Sequence, residues 1–183
     1  MNVLFLFAHN DDEYFASLRI GEELRAGNRV LVAYLTHGSI YGADSGERIE
    51  ESLAILDRLG VARADVFLLG QEADIFDLRL HERMSDAYRA LSARLQATPI
   101  GRVYLMAWEG GHPDHDASHL IGRAYARARG LERELYEFPA YSRFRVMSHV
   151  GEGGEILSTA TDRRRAFRTL CSAFGYRTQR LTF

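Results

Sequence analysis

The sequence predicts an α/β fold, a single-domain Rossmann-like three-layer sandwich with a mostly parallel sheet, spanning residues 1–183. Three observations predict it. Short, unbroken apolar runs alternate with amphipathic stretches of helical period. Glycines or prolines fall at the junctions, and the loops between segments are short.

The opening NVLFLFA reads as a strand buried on both faces, as parallel sheets require. It stops at an acidic cluster, after which Phe15, Leu18, Ile20 and Leu24 recur at helical spacing until Gly27. RVLVAYLTH is a second strand, Glu47–Leu59 an amphipathic helix ending at Gly60, ADVFLLG a third strand and Leu80–Leu95 a third helix. After Pro99, RVYLMAW supplies a fourth strand and Ser118–Arg129 a fourth helix, closed by Gly130. Beyond residue 130 the alternation weakens. ELYEF and SRFRVMSHV suit further strands, GEGGE a turn, EILSTAT an edge strand and Asp162–Phe174 a closing helix. Right-handed crossovers place helices on both faces of such a sheet.

Composition narrows the function. The 23 basic residues are all arginine, which excludes a Schiff-base lysine, a pyridoxal-phosphate anchor and a P-loop lysine. A formal net charge of -2 recommends neither nucleic acid nor an anionic membrane as partner. The single cysteine, Cys171, lies in an apolar-patterned segment and reads as core. Met1–Ala8 is too short for a signal peptide and lacks its basic flank, so a cytoplasmic protein is expected.

The two densest polar clusters follow strands one and four: AHNDDE, with His9, Asp11 and Asp12, and GGHPDH, with His112, Asp114 and His115. In the common strand order 3-2-1-4 these strands are neighbours, so both clusters open onto one cleft at the switch point. Taken singly, such an aspartate reads as a helix cap and such a histidine as a structural hydrogen-bonding residue. Capping does not account for two His/Asp clusters at two strand ends. Two imidazoles and a carboxylate drawn from them match the three-ligand count of a catalytic zinc site, although the donors also suit Fe2+ or another first-row metal. A spare carboxylate is then free to take a proton from water, and a spare imidazole to donate to an oxyanion.

AHNDDE and GGHPDH together resemble the signature motifs of the LmbE-like, or PIG-L, family of zinc-dependent N-acetylglucosaminyl deacetylases. GERIEESLAILDRLGV resembles the family's Arg-x-x-Glu helix, and Tyr176–Gln179 its terminal Tyr-x-Ser-Gln. The resemblance implies His9, Asp12 and His115 as ligands of Zn2+ and Asp11 as general base. It implies His112 as the histidine facing the transition state, with Asp114 orienting its ring. Arg48 matches an arginine that contacts the sugar, and Asp77 an acidic residue that binds sugar hydroxyls. Asn10 stands where the family motif has proline, and Thr178 where it has serine.

The function so implied is metal-dependent removal of the N-acetyl group from an N-acetylglucosamine-type amino sugar or its conjugate. The partner expected is that small molecule, with no nucleic acid and no membrane; a homo-oligomer is compatible. Competing readings are an amidase for a larger N-acyl or thiol conjugate and a phospho-receiver or binding module. The receiver lacks its lysine here and leaves His112 and His115 unexplained. Elsewhere, His119 has the helical spacing of a second histidine ligand, His37 lies near the cleft, and Trp108 and Glu109 suit either the floor of a sugar site or a core strand end. His81, His149 and Arg163–Arg165 read as surface. Gly38 and Gly42 form no dinucleotide fingerprint.

Overall fold

The computed structural model describes residues 1–40, 45–140, 176 and 178. The elements expected over 142–174, with Cys171, His149 and Arg163–Arg165, lie outside the described residues.

Among the described residues, five parallel strands form one sheet in the order β3-β2-β1-β4-β5. They are β1 (Asn2–Phe7), β2 (Arg29–Tyr34), β3 (Val66–Leu68), β4 (Arg102–Met106) and β5 (Leu135–Phe138). The register pairs Phe7 with Tyr34 on one side of β1 and Leu6 with Leu105 on the other. The chain runs outward through β2 and β3 and returns to start β4 beside β1, so the β1/β4 boundary is the switch point.

The period of two in a strand sends alternate residues to two cores. Leu4 and Leu6 join Leu31, Val103 and Leu105 under α3 (Leu69–Glu72), α4 (Met84–Arg94) and α5 (Pro113–Ala128). Val3, Phe5 and Phe7 join Val30, Val32 and Tyr34 under α1 (Glu13–Arg25) and α2 (Gly46–Leu59). On that second face Phe5 stacks on Tyr104 at 4.6 Å and Tyr104 on Tyr136 at 5.3 Å, aromatic packing that fixes β5 to β4. The α2 helix ends where the sequence places its end: Gly60, at φ 101°, returns its N–H to the carbonyls of Leu56 and Asp57.

Three expected elements differ. The third strand shortens to Val66–Leu68, since a Cβ on Gly70 would sit 2.0 Å from the Thr36 carbonyl carbon and the chain turns there into α3. The helix expected over Leu80–Leu95 divides into a single 3-10 turn, Leu80–Glu82, and α4, because the Leu80 N–H is held by the Asp114 carboxylate at 3.1 Å. The α5 helix begins at Pro113, not at Ser118, so the second polar cluster is its first turn. Among the described residues no helix is long and apolar enough to cross a membrane.

Candidate metal and catalytic site

Both clusters lie beyond the carboxyl ends of β1 and β4 and meet there. His112 is the N-cap of α5, with extended backbone, and Pro113 occupies the first helical position, where a missing N–H costs nothing. This start turns Asp114 and His115 inward against β1. His9, Asp12 and His115 are all buried, and one ligand atom from each lies within 4.8 Å of the others. His115 Nε2 is 3.2 Å from His9 Nδ1 and 3.3 Å from Asp12 Oδ1, and His9 Nδ1 is 3.6 Å from Asp12 Oδ2. Asp12 Oδ2 also accepts the His9 N–H at 2.8 Å, which closes the loop around the donor set.

A second trio, His9, His112 and Asp114, also converges. Its carboxylate, however, is already engaged: Asp114 Oδ2 accepts from the Leu78 N–H at 2.5 Å and lies 3.0 Å from His9 Nε2, while Oδ1 accepts from Leu80. Asp114 therefore backs His9 from behind. An imidazole bonded through one nitrogen to a carboxylate and offering the other to a cation is the usual arrangement of a metal-binding histidine. The first trio thus fits a divalent cation with three protein ligands and an open position.

The same contacts correct the expected partner of Asp114. Its carboxylate is on His9, whereas His112 Nδ1 accepts from the Asp114 backbone N–H at 3.2 Å. A neutral ring bonded this way carries its proton on Nε2. Burial, then the neighbouring His9 and His115, bring the His112 imidazole down to about 4, so near neutral pH it is an uncharged donor.

Asp11 stands beside the donor set without belonging to it. Burial and the Asp12 carboxylate push its carboxyl up to about 7, against the opposing pull of Arg48. Burial would raise Asp12 also, but His115 and His9 outweigh it and hold that carboxyl well below its ordinary range. Two adjacent aspartates are thereby separated, one kept ionised and one poised near neutrality.

Arg48, from the first turn of α2, reaches Asp11 Oδ2 at 3.1 Å, Asp77 Oδ2 at 2.7 Å and the Asn10 carbonyl at 2.8 Å. Asp77 accepts the Gly38 N–H with its other oxygen, at 3.0 Å. The two expected sugar-binding residues are therefore in the cleft and bonded to each other. Asn10, in the place of the motif proline, is buried, and among the described residues neither of its side-chain polar atoms has a hydrogen-bond partner. Gly38 packs on it so closely that a Cβ there would meet Asn10 Oδ1 at 2.7 Å.

Of the remaining candidates, His119 is buried and bonds through Nδ1 to the Met106 carbonyl at 3.0 Å, away from the trio. His37 Nδ1 lies 3.3 Å from the hydroxyls of Ser39 and Ser45. Trp108 is exposed, Glu109 is buried and accepts the Ala140 N–H, and His81 is on the surface. Sequence reasoning missed Glu13, buried under Asp11, and the Leu78–Leu80 loop that clamps Asp114. Glu13 was visible as the last acid of its motif; the loop had no local signal.

Fold and site define a doubly wound α/β protein with a buried His/Asp cluster that could hold a cation, and an adjacent carboxylate, at the switch point. The chain belongs to the GlcNAc-PI de-N-acetylase (PIG-L) family, whose sequence profile matches residues 4–126. Its fold is similar to that of the deacetylase of the teicoplanin biosynthetic pathway, solved in complex with teicoplanin, at a TM-score of 0.78 and 14% identity over 98% of this chain and 88% of that one. It is also similar to the A40926 pseudoaglycone deacetylase Dbv21 (TM-score 0.72, 18% identity, 97% of this chain and 81% of that one). The N,N'-diacetylchitobiose deacetylase from Pyrococcus horikoshii is similar too (TM-score 0.63, 16% identity, 97% of this chain and 70% of that one). No curated protein shows significant sequence similarity to the chain.

Proposed function

We propose that the protein is a metal-dependent N-deacetylase acting on an N-acetylglucosamine-type amino sugar or its conjugate. The observation that carries this reading is Asp11, a buried carboxylate adjacent to a buried donor set that it does not join, in a PIG-L chain. His9, Asp12 and His115 would hold the cation, a set of two imidazoles and a carboxylate that suits zinc. When bound, it supplies Lewis acidity toward the acyl oxygen and toward water.

The chain's own groups do the rest. Asp11 takes the proton of the attacking water, and later returns a proton to the departing amine, roles that favour a carboxyl titrating near the working pH. His112 donates from Nε2 to the oxyanion as the carbonyl carbon becomes tetrahedral. Its N-cap geometry fixes that tautomer before substrate arrives. Asp114 orients His9 as a ligand. Arg48, held by Asp77, orients Asp11 and presents its remaining guanidinium surface to sugar oxygens.

Zinc-loaded protein incubated with a panel of N-acetyl amino sugars should release one acetate per free amine, and Asp11→Asn should retain zinc yet lose turnover. Release of a longer acid from N-acyl analogues, with no acetate from the panel, would reassign the substrate. Full activity in Asp11→Asn would remove Asp11 as base.

A further inference from the structure

Glu13 closes the AHNDDE cluster and opens α1, where an acidic residue ordinarily does no more than complement the helix dipole. Its surroundings ask for more. The side chain is wholly buried, and three donors from three parts of the chain converge on it. Oε2 accepts the Asp11 N–H at 3.0 Å and the Tyr34 hydroxyl at 2.7 Å, and Oε1 accepts the Tyr176 hydroxyl at 2.8 Å. The Asp11 N–H lies outside the helix, so this contact is not a cap of α1.

Asp11 has φ 112°, a conformation that L residues other than glycine rarely adopt. Backbone strain of this kind costs about 1–3 kcal/mol and persists only where the surroundings over-determine it. Here they do so from two sides. Glu13 holds the N–H of residue 11, while Arg48 holds the preceding carbonyl and the Asp11 carboxylate. That torsion sets the direction in which the Asp11 side chain leaves the backbone.

We infer that Glu13 is a positioning residue for Asp11: its buried carboxylate fixes the strained backbone that aims the base at the cleft, and Tyr34 and Tyr176 fix the carboxylate. The inference rests on the reading of Asp11 as base. It also gives Tyr176, 163 positions away in sequence from Glu13, a task in the site, because docking of its hydroxyl helps to set the geometry of the first motif.

Glu13→Gln keeps the size of the side chain but turns one acceptor oxygen into a donor. Displacing a catalytic group by about 1 Å costs up to 10²-fold, so kcat for acetate release should fall about 10–100-fold. KM should stay within about 3-fold, because substrate contacts are untouched. Zinc content should match the parent, and a crystal structure of the variant should show Asp11 relaxed to negative φ. Tyr34→Phe and Tyr176→Phe, each removing one supporting hydrogen bond, should lower kcat about 2–10-fold with KM unmoved. The proposal is overturned if Asp11 in Glu13→Gln keeps its positive φ, or if the lost turnover is fully accounted for by lost zinc or lost folded protein. Should the parent release no acetate from any amino sugar, the deacetylase reading fails, and the Asp11 torsion in the two structures still decides the positioning role.

Discussion

Asp114 shows how much a single buried carboxylate can organise. Burial alone would raise its carboxyl, but the contact with His9 and the Leu78 N–H keep it below the ordinary aspartate value. It stays ionised with no exposed surface because two backbone amides and an imidazole surround it. The Leu78 amide that meets it belongs to a residue at φ 67°, a second strained position beside the site. Asp114→Asn should weaken zinc binding about 10–100-fold, the usual effect of losing the group behind a ligand histidine. Competition with a chelator of known affinity measures this, and unchanged affinity would mean that His9 is not a ligand. The two histidines of the second motif separate in the same assay. His115→Ala should lose metal, whereas His112→Ala should keep it while kcat falls about 10²–10³-fold, the loss on removing one oxyanion donor. Metal loss in His112→Ala with retention in His115→Ala would reverse the assignment.

At the scale of elements, glycines mark where backbone must approach backbone. Gly70, in α3, lies against the Thr36 carbonyl that follows β2, and a methyl group there has nowhere to go. Gly70→Ala should destabilise the protein by about 1–3 kcal/mol or more, as overpacking does. Gly21, mid-α1, meets only the tip of Arg25 at 3.9 Å, and Gly21→Ala should stabilise by about 0.5–1 kcal/mol through helix propensity. Urea unfolding of the pair checks both signs, and equal midpoints would refute the packing argument. The contrast also shows what sequence reasoning can reach. The strands β1, β2 and β4, the helix α2 with its Gly60 stop, and the convergence of AHNDDE with GGHPDH were legible, because apolar period and the switch-point rule are local or topological signals. The start of α5 was obscured by its own first turn, Pro113–Asp116, whose polar residues read as loop. The partner of Asp114 was not legible at all: it depends on the loop carrying Leu78 and Leu80, 34 to 36 residues upstream, and no local pattern announces that contact. The task of Glu13, visible only as the last acid of its motif, was equally hidden, since two of its donors arrive from Tyr34 and Tyr176.

Across the whole molecule, the candidate cation site lies at the carboxyl end of the sheet, and a second buried acid secures the opposite end. Glu23, near the end of α1, accepts from Tyr104 at 2.7 Å and Arg102 at 2.9 Å through Oε1, and from Asn28 at 2.6 Å through Oε2. It thereby ties α1 to the start of β4 and to the turn before β2. Burial would raise this carboxyl, but the hydrogen bonds from Tyr104, Arg102 and Asn28 prevail and hold it below the ordinary glutamate value. A carboxyl lowered in the folded state releases its proton more readily there than in the unfolded chain. Its contribution to stability is therefore complete above the unfolded value of about 4.3 and is lost as the pH falls through the lower folded value. Glu23→Gln removes that titration while keeping the shape. The variant should be less stable than the parent at neutral pH, and the gap in unfolding free energy should narrow steadily once the pH drops below about 4. Because Glu23 touches no residue of the first or second motif, zinc content and the substrate dependence of acetate release should be the same in both proteins near neutrality. A stability gap that stayed constant from pH 7 to pH 3 would show that the Glu23 charge contributes nothing and that the network acts through packing alone.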